Sequence, residues 1–89
     1  MKIVPTGYFN RAVKWLHPNE KELLDKAVQA IVNDVEIGDL KTGDIAGIRV
    51  YKFKLNKALM LLAYRVEAEI LYLLEYGSHE NFYRDLKRH

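Results

Sequence analysis

Phe9, Ala12, Val13 and Leu16 recur at i, i+3, i+4 and i+7, the spacing that lines apolar side chains along one face of a helix. Pro18 interrupts this run and suits the first turn of a new helix, where its missing N–H has no intrahelical partner to lose. Leu23, Leu24, Ala27, Val28, Ile31 and Val32 then make a second apolar face. Residues 9–16 and 20–35 are therefore predicted as a helix hairpin turning at His17-Pro18, each helix with a side that needs covering. Between Gly38 and Gly47 periodicity is lost among Asp39, Thr42, Gly43 and Asp44, which marks a loop. Beyond it the period falls from 3.6 to 2. Residues 48–55, 59–66 and 70–76 are rich in β-branched, aromatic and aliphatic side chains and read as three strands of an antiparallel meander, joined at Asn56-Lys57 and Glu67-Ala68-Glu69. Residues 2–5 read as a short extended entry. After Gly77-Ser78 a last helix is expected, with Ser78 as N-cap, Glu80 in its first turn, and Arg84, Lys87 and Arg88 toward its end. The predicted order is β-α-α-β-β-β-α. This is a small α+β fold, an antiparallel sheet with the helix hairpin packed on one face and a short C-terminal helix.

Alternation along the strands sorts side chains by face. With a two-residue turn at Asn56-Lys57, position 52 opposes 61 and position 48 opposes 65. Lys52 and Lys54 then share a face with Leu61, Ala63 and Arg65. A three-residue loop at Glu67-Ala68-Glu69 adds Leu71, Leu73, Glu75 and His79 to that face. Tyr51, Phe53, Met60, Leu62, Tyr64, Val66, Ile70, Tyr72 and Leu74 fall on the other, which suits the helix hairpin. Leu59, Leu61, Leu71 and Leu73 would then form an apolar patch opposite the helices, free for a partner or covered by the last helix.

Length and composition narrow the class. Eighty-nine residues, 49% hydrophobic and 29% charged, fit one compact domain spanning 1–89 and do not fit a disordered chain. With no cysteine there is neither a disulfide framework nor a thiolate metal site. Apolar runs such as residues 58–64 are too short to span a bilayer, and the N-terminus lacks a signal-peptide pattern, so the expected location is the cytoplasm. The net charge is only +2, but residues 1–48 carry six Lys or Arg against seven Asp or Glu, and residues 49–89 carry eight against five. From Arg49 to Arg65 there are five cations and no acid. Such a stretch is either the footprint of a nucleic-acid site or a strand edge protected by lysines.

Several passages together resemble the RelE/ParE superfamily of toxins from bacterial type II toxin–antitoxin systems. Leu40-Lys41-Thr42-Gly43-Asp44-Ile45-Ala46-Gly47-Ile48-Arg49-Val50-Tyr51 resembles the family's entry into its sheet. Ala63-Tyr64-Arg65 resembles its middle strand with a recurrent arginine. Gly77-Ser78-His79-Glu80-Asn81-Phe82-Tyr83 is similar to the tail of the YafQ-like ribonuclease branch. The likeness covers nearly the whole chain and implies a RelE/ParE-like fold with a cognate antitoxin as partner. It implies one of two activities, cleavage of mRNA on the ribosome or poisoning of DNA gyrase, with an inactive antitoxin-binding member as a third class.

Cleavage of RNA without metal or cofactor needs a base for the 2′-hydroxyl proton, an acid for the leaving 5′-oxygen and cations for the phosphorane charge. The resemblance puts His79 at the family's C-terminal histidine, and an imidazole titrates near neutral pH. It puts Arg65 at the strand arginine, whose planar fork suits a phosphate. Lys52, Lys54 and Arg49 are candidate phosphate-binding groups, Tyr83 a candidate to stack on or orient a base, and Glu75 a second proton-transfer candidate. Each also has a structural alternative: His79 as a capping side chain, Arg65 as an ion pair with Glu67 or Glu69, Tyr83 as packing for the last helix. The low net charge and the six tyrosines keep the gyrase alternative open.

Overall fold

A computed structural model describes residues 1–87; Arg88, expected at the end of the last helix, lies outside them. The elements are β1 (Lys2–Pro5), α1 (Gly7–Val13), α2 (Pro18–Asn33), β2 (Asp39–Leu40), β3 (Arg49–Leu55), β4 (Ala58–Glu67), β5 (Ile70–Ser78) and α3 (His79–Leu86), with a 3₁₀ turn at Gly43–Ile45. They build a five-stranded sheet in the order β1-β5-β4-β3-β2. The predicted meander forms its centre. The extended entry is an added edge strand, and it runs parallel to β5, pairing Lys2 with Ile70 and Pro5 with Leu73. The chain reverses into α1 at Thr6, whose Oγ1 accepts the Phe9 N–H at 3.4 Å as the helix cap and donates to the Leu74 carbonyl at 3.3 Å. Pro18 opens α2 as expected.

The loop predicted at residues 38–47 contains the second edge strand, with Asp39 opposite Val50 and Leu40 opposite Arg49. It was hidden because two residues carry no periodicity; a tertiary tie holds them. The Tyr64 hydroxyl, on a side chain with no exposure, donates to the Val35 carbonyl at 2.7 Å and accepts the Gly38 N–H at 2.9 Å. Gly38 is required there by contact: a Cβ would sit 2.8 Å from Tyr64 Cε1.

Two cores sandwich the sheet. Phe9, Leu24, Ala27 and Ile31 from α1 and α2 pack on Met60, Leu62, Tyr64, Leu71, Leu73 and Tyr76. On the other face Phe82 and Leu86 of α3 pack on Ile48, Val50, Leu61, Ala63 and Leu74. The Tyr76 hydroxyl donates to Glu20 Oε2 at 2.9 Å, tying the first turn of α2 to the sheet.

The β3–β4 register matches the expected one, Lys52 opposite Leu61 and Lys54 opposite Leu59. The β4–β5 register does not. Glu67 pairs with Ile70, so the turn is the two-residue Ala68-Glu69, with φ of 50° and 66°. Both central residues are left-handed, as in the tight primed turns that match strand twist, yet neither is the Gly or Asn that announces such a turn. The shift moves Leu71 and Leu73 to the α1/α2 side. A β-bulge then restores the parity: Tyr64 opposes Leu73 while Ala63 opposes Glu75, leaving Leu74 as the extra residue. The four-leucine patch therefore does not exist. Leu71 and Leu73 lie under α1 and α2, Leu61 is covered by α3, and Leu59 alone of the four is exposed, at 38%.

Candidate functional site

Alternation along β3 turns Tyr51 and Phe53 toward α2 and Lys52 and Lys54 toward the side that carries α3, both lysines exposed. At the far end of the sheet Lys54 opposes Leu59, and the next residue of β4, Met60, opposes Ser78. His79 follows Ser78 and opens α3. Lys54 and His79 thus flank the end of β4, about two strand spacings or roughly 10 Å apart.

His79 is exposed, and its ring meets Tyr83, one helical turn on, edge to face with centroids 5.9 Å apart at 77°. Tyr83 is held in turn by the buried Phe82, perpendicular to it at 5.3 Å. From the loop beyond β2 the Lys41 ammonium lies 5.6 Å from the Tyr83 ring centre. Nothing in the sequence singled out Lys41, because its partner Tyr83 lies far along the chain and only the fold brings them together. Nearby, Lys87 pairs with Asp44 at 3.5 Å.

Three expected members are placed elsewhere. Arg65 lies on the expected face but at the wrong end: it opposes Tyr72, five residues along β4 from the Met60–Ser78 pair, a separation of about 17 Å. Its guanidinium covers the Tyr72 ring at 5.4 Å and meets Glu67 at 3.4 Å. Face parity alone had gathered Arg65 and His79, since it ignores position along the strand. Arg49 points to the opposite face, where its Nη1 donates to the Gly38 carbonyl at 2.9 Å and the Glu36 carbonyl at 3.3 Å. It is a tie for the β2 connection. Glu75 is 9% exposed, opposite Ala63 beneath α3, and its Oε1 accepts the Tyr76 N–H at 3.4 Å. So enclosed, it is out of reach of a substrate.

Among the described residues no group of three His, Asp or Glu side chains is arranged to hold a metal, and no helix is long and apolar enough to cross a membrane. What the site offers is an exposed imidazole against a tyrosine, with Lys41 over the same ring and Lys52 and Lys54 on β3 nearby: proton transfer beside a place for a polyanion.

The chain belongs to the ParE-like toxins of type II bacterial toxin–antitoxin systems, whose family model matches residues 3–87. In fold it is similar to a chain of the intact E. coli RelBE toxin–antitoxin complex, with a TM-score of 0.68 at 20% identity over 89% of this chain and 96% of that one. It is also similar to a double-arginine mutant of E. coli RelE in the free state, with a TM-score of 0.70 at 18% identity over 98% and 90% of the two chains. No curated protein matches.

Proposed function

We propose that this toxin is a metal-independent endoribonuclease that cuts mRNA on the ribosome, restrained by a cognate antitoxin. The observation that supports it best is the exposed His79 held edge-on to Tyr83 at the sheet end that also carries Lys54. In this reading the substrate's 2′-oxygen attacks the adjacent phosphorus and the bond to the 5′-oxygen breaks, leaving a 2′,3′-cyclic phosphate and a 5′-hydroxyl. The 2′-hydroxyl proton passes to a base and the 5′-oxygen receives one from an acid. His79 performs one of these transfers. Lys54 and Lys52 offset the charge that gathers on the phosphoryl oxygens, and Tyr83 orients the nucleotide. Arg65, about 17 Å along the sheet, contributes at most to binding of flanking RNA.

The test is inducible expression with two readouts, primer extension on a cellular transcript and double-strand breaks in a plasmid. Transcript ends that fall by about 10²- to 10⁴-fold in a folded His79→Ala variant are the expected result. Plasmid breaks without RNA ends would replace this reading with gyrase poisoning.

A further inference from the structure

We infer that Lys41 is a substrate-contacting residue, which binds an RNA backbone phosphate adjoining the nucleotide held by Tyr83 and His79. The inference rests on the ribonuclease reading and extends its site to the opposite sheet edge. Lys41 is fixed at its backbone, where its N–H donates to the Ile48 carbonyl at 2.9 Å. The strand before it is anchored by Tyr64 and Arg49 through Gly38. The loop therefore delivers the lysine to one place.

At its tip the ammonium rests over the Tyr83 ring at 5.6 Å. An aromatic face attracts a cation without neutralising it. Lys87, a turn beyond Tyr83, shows the contrast, its charge matched by Asp44 at 3.5 Å. Lys41 makes no ion pair among the described residues, so a whole positive charge is held still beside the candidate catalytic pair. Tyr83 contacts both Lys41 and His79, so the cation and the imidazole share one aromatic neighbour. That is the arrangement in which a single nucleotide sets its base or sugar against the ring and its two phosphates to either side. Lys54, His79, Tyr83 and Lys41 then form a continuous path across the sheet end and along α3.

The experiment titrates the intact chain into a fluorescein-labelled single-stranded 2′-O-methyl RNA, which cannot be cleaved, and follows anisotropy over a series of salt concentrations. Lys41→Ala is expected to weaken binding and to lower the slope of log affinity against log salt by about 0.7, the loss of one phosphate contact on a single strand. Lys41→Arg should restore the slope. Lys41→Met, which keeps an apolar stem for the Tyr83 ring, should behave like Lys41→Ala. Lys14→Ala, at the end of α1 beside Trp15, should leave the slope unchanged. A wild-type slope in Lys41→Met would show that the contact is only packing and would overturn the inference. If Lys54→Ala weakens binding and Lys41→Ala does not, the Lys41 inference falls while the ribonuclease reading stands. If the wild-type chain does not bind the RNA, the Lys41 inference falls, while the ribonuclease reading is decided separately by the transcript ends.

Discussion

The Tyr64 hydroxyl closes two backbone groups at once, the partly buried Val35 carbonyl and the buried Gly38 N–H. Tyr64→Phe leaves both without that partner and should destabilise the chain by about 1–3 kcal/mol in chemical denaturation. Gly38→Ala should be at least as damaging, because its Cβ meets the Tyr64 ring from the other side. Circular dichroism is the suitable readout, since the single tryptophan, Trp15, is 83% exposed and its surroundings change little on unfolding. The same tyrosines make stability pH-dependent. Burial pushes the Tyr64 phenol up, and burial followed by the hydrogen bond and charge of Glu20 pushes Tyr76 up further. Both hold their protons above the unfolded tyrosine value of about 10. The folded chain therefore binds more protons than the unfolded one above that pH. Their contribution is complete below about pH 10 and is lost as pH rises through the raised folded values. Denaturation midpoints measured between pH 8 and pH 12 should fall at the alkaline end, and less steeply in Tyr76→Phe.

Among the elements, the β4–β5 hairpin is the place where local sequence and fold disagree. Ala68 and Glu69 both occupy the left-handed region, which costs residues with a Cβ roughly 1–2 kcal/mol each. Ala68→Asn with Glu69→Gly should raise stability by about 1 kcal/mol or more, read as a higher denaturation midpoint, because Asn-Gly suits this turn. The strain is sustained by what the register secures, Leu71 and Leu73 under the helix hairpin. Helix α3 is the other informative element. It has only two turns, and it is held by burial of Phe82 and Leu86, which are 3% and 0% exposed. Leu86→Ala should cost about 2–5 kcal/mol and Phe82→Ala about 3–5. Either should loosen His79 and Tyr83 together, so activity should fall with stability. Lys54→Ala, on an exposed strand position, should lower activity with the melting temperature unchanged.

For the molecule as a whole, the sheet decides which residues can act together. His79→Ala should abolish cleavage, whereas Arg65→Ala, at the far end of β4, should change it by only a few-fold and mostly through salt-dependent binding; equal losses would show that the two ends meet in the substrate complex. What the sequence determined by itself was local and periodic. The 3.6-residue stripe of residues 23–32 and Pro18 set α2. The alternation of Tyr51-Lys52-Phe53-Lys54 about Asn56-Lys57 set the β3–β4 hairpin and the face of its lysines. The tail from Gly77 to Tyr83 pointed to His79 and Tyr83, which the fold brings into contact. Tertiary structure alone decided the rest. A two-residue edge strand has no period to read, and β2 exists because Tyr64, 26 positions from Gly38, fixes its approach. A turn of Ala and Glu carries no local signal, so the β4–β5 register was set by burial of Leu71 and Leu73, and the bulge at Leu74 by the burial of Tyr76 on the α1/α2 face, where its hydroxyl meets Glu20. Arg49, Arg65 and Lys41 are alike in sequence, each a cation near a strand. Only the packed sheet, with its ends and its opposite edges, makes one a backbone tie, one a remote surface pair and one a neighbour of Tyr83.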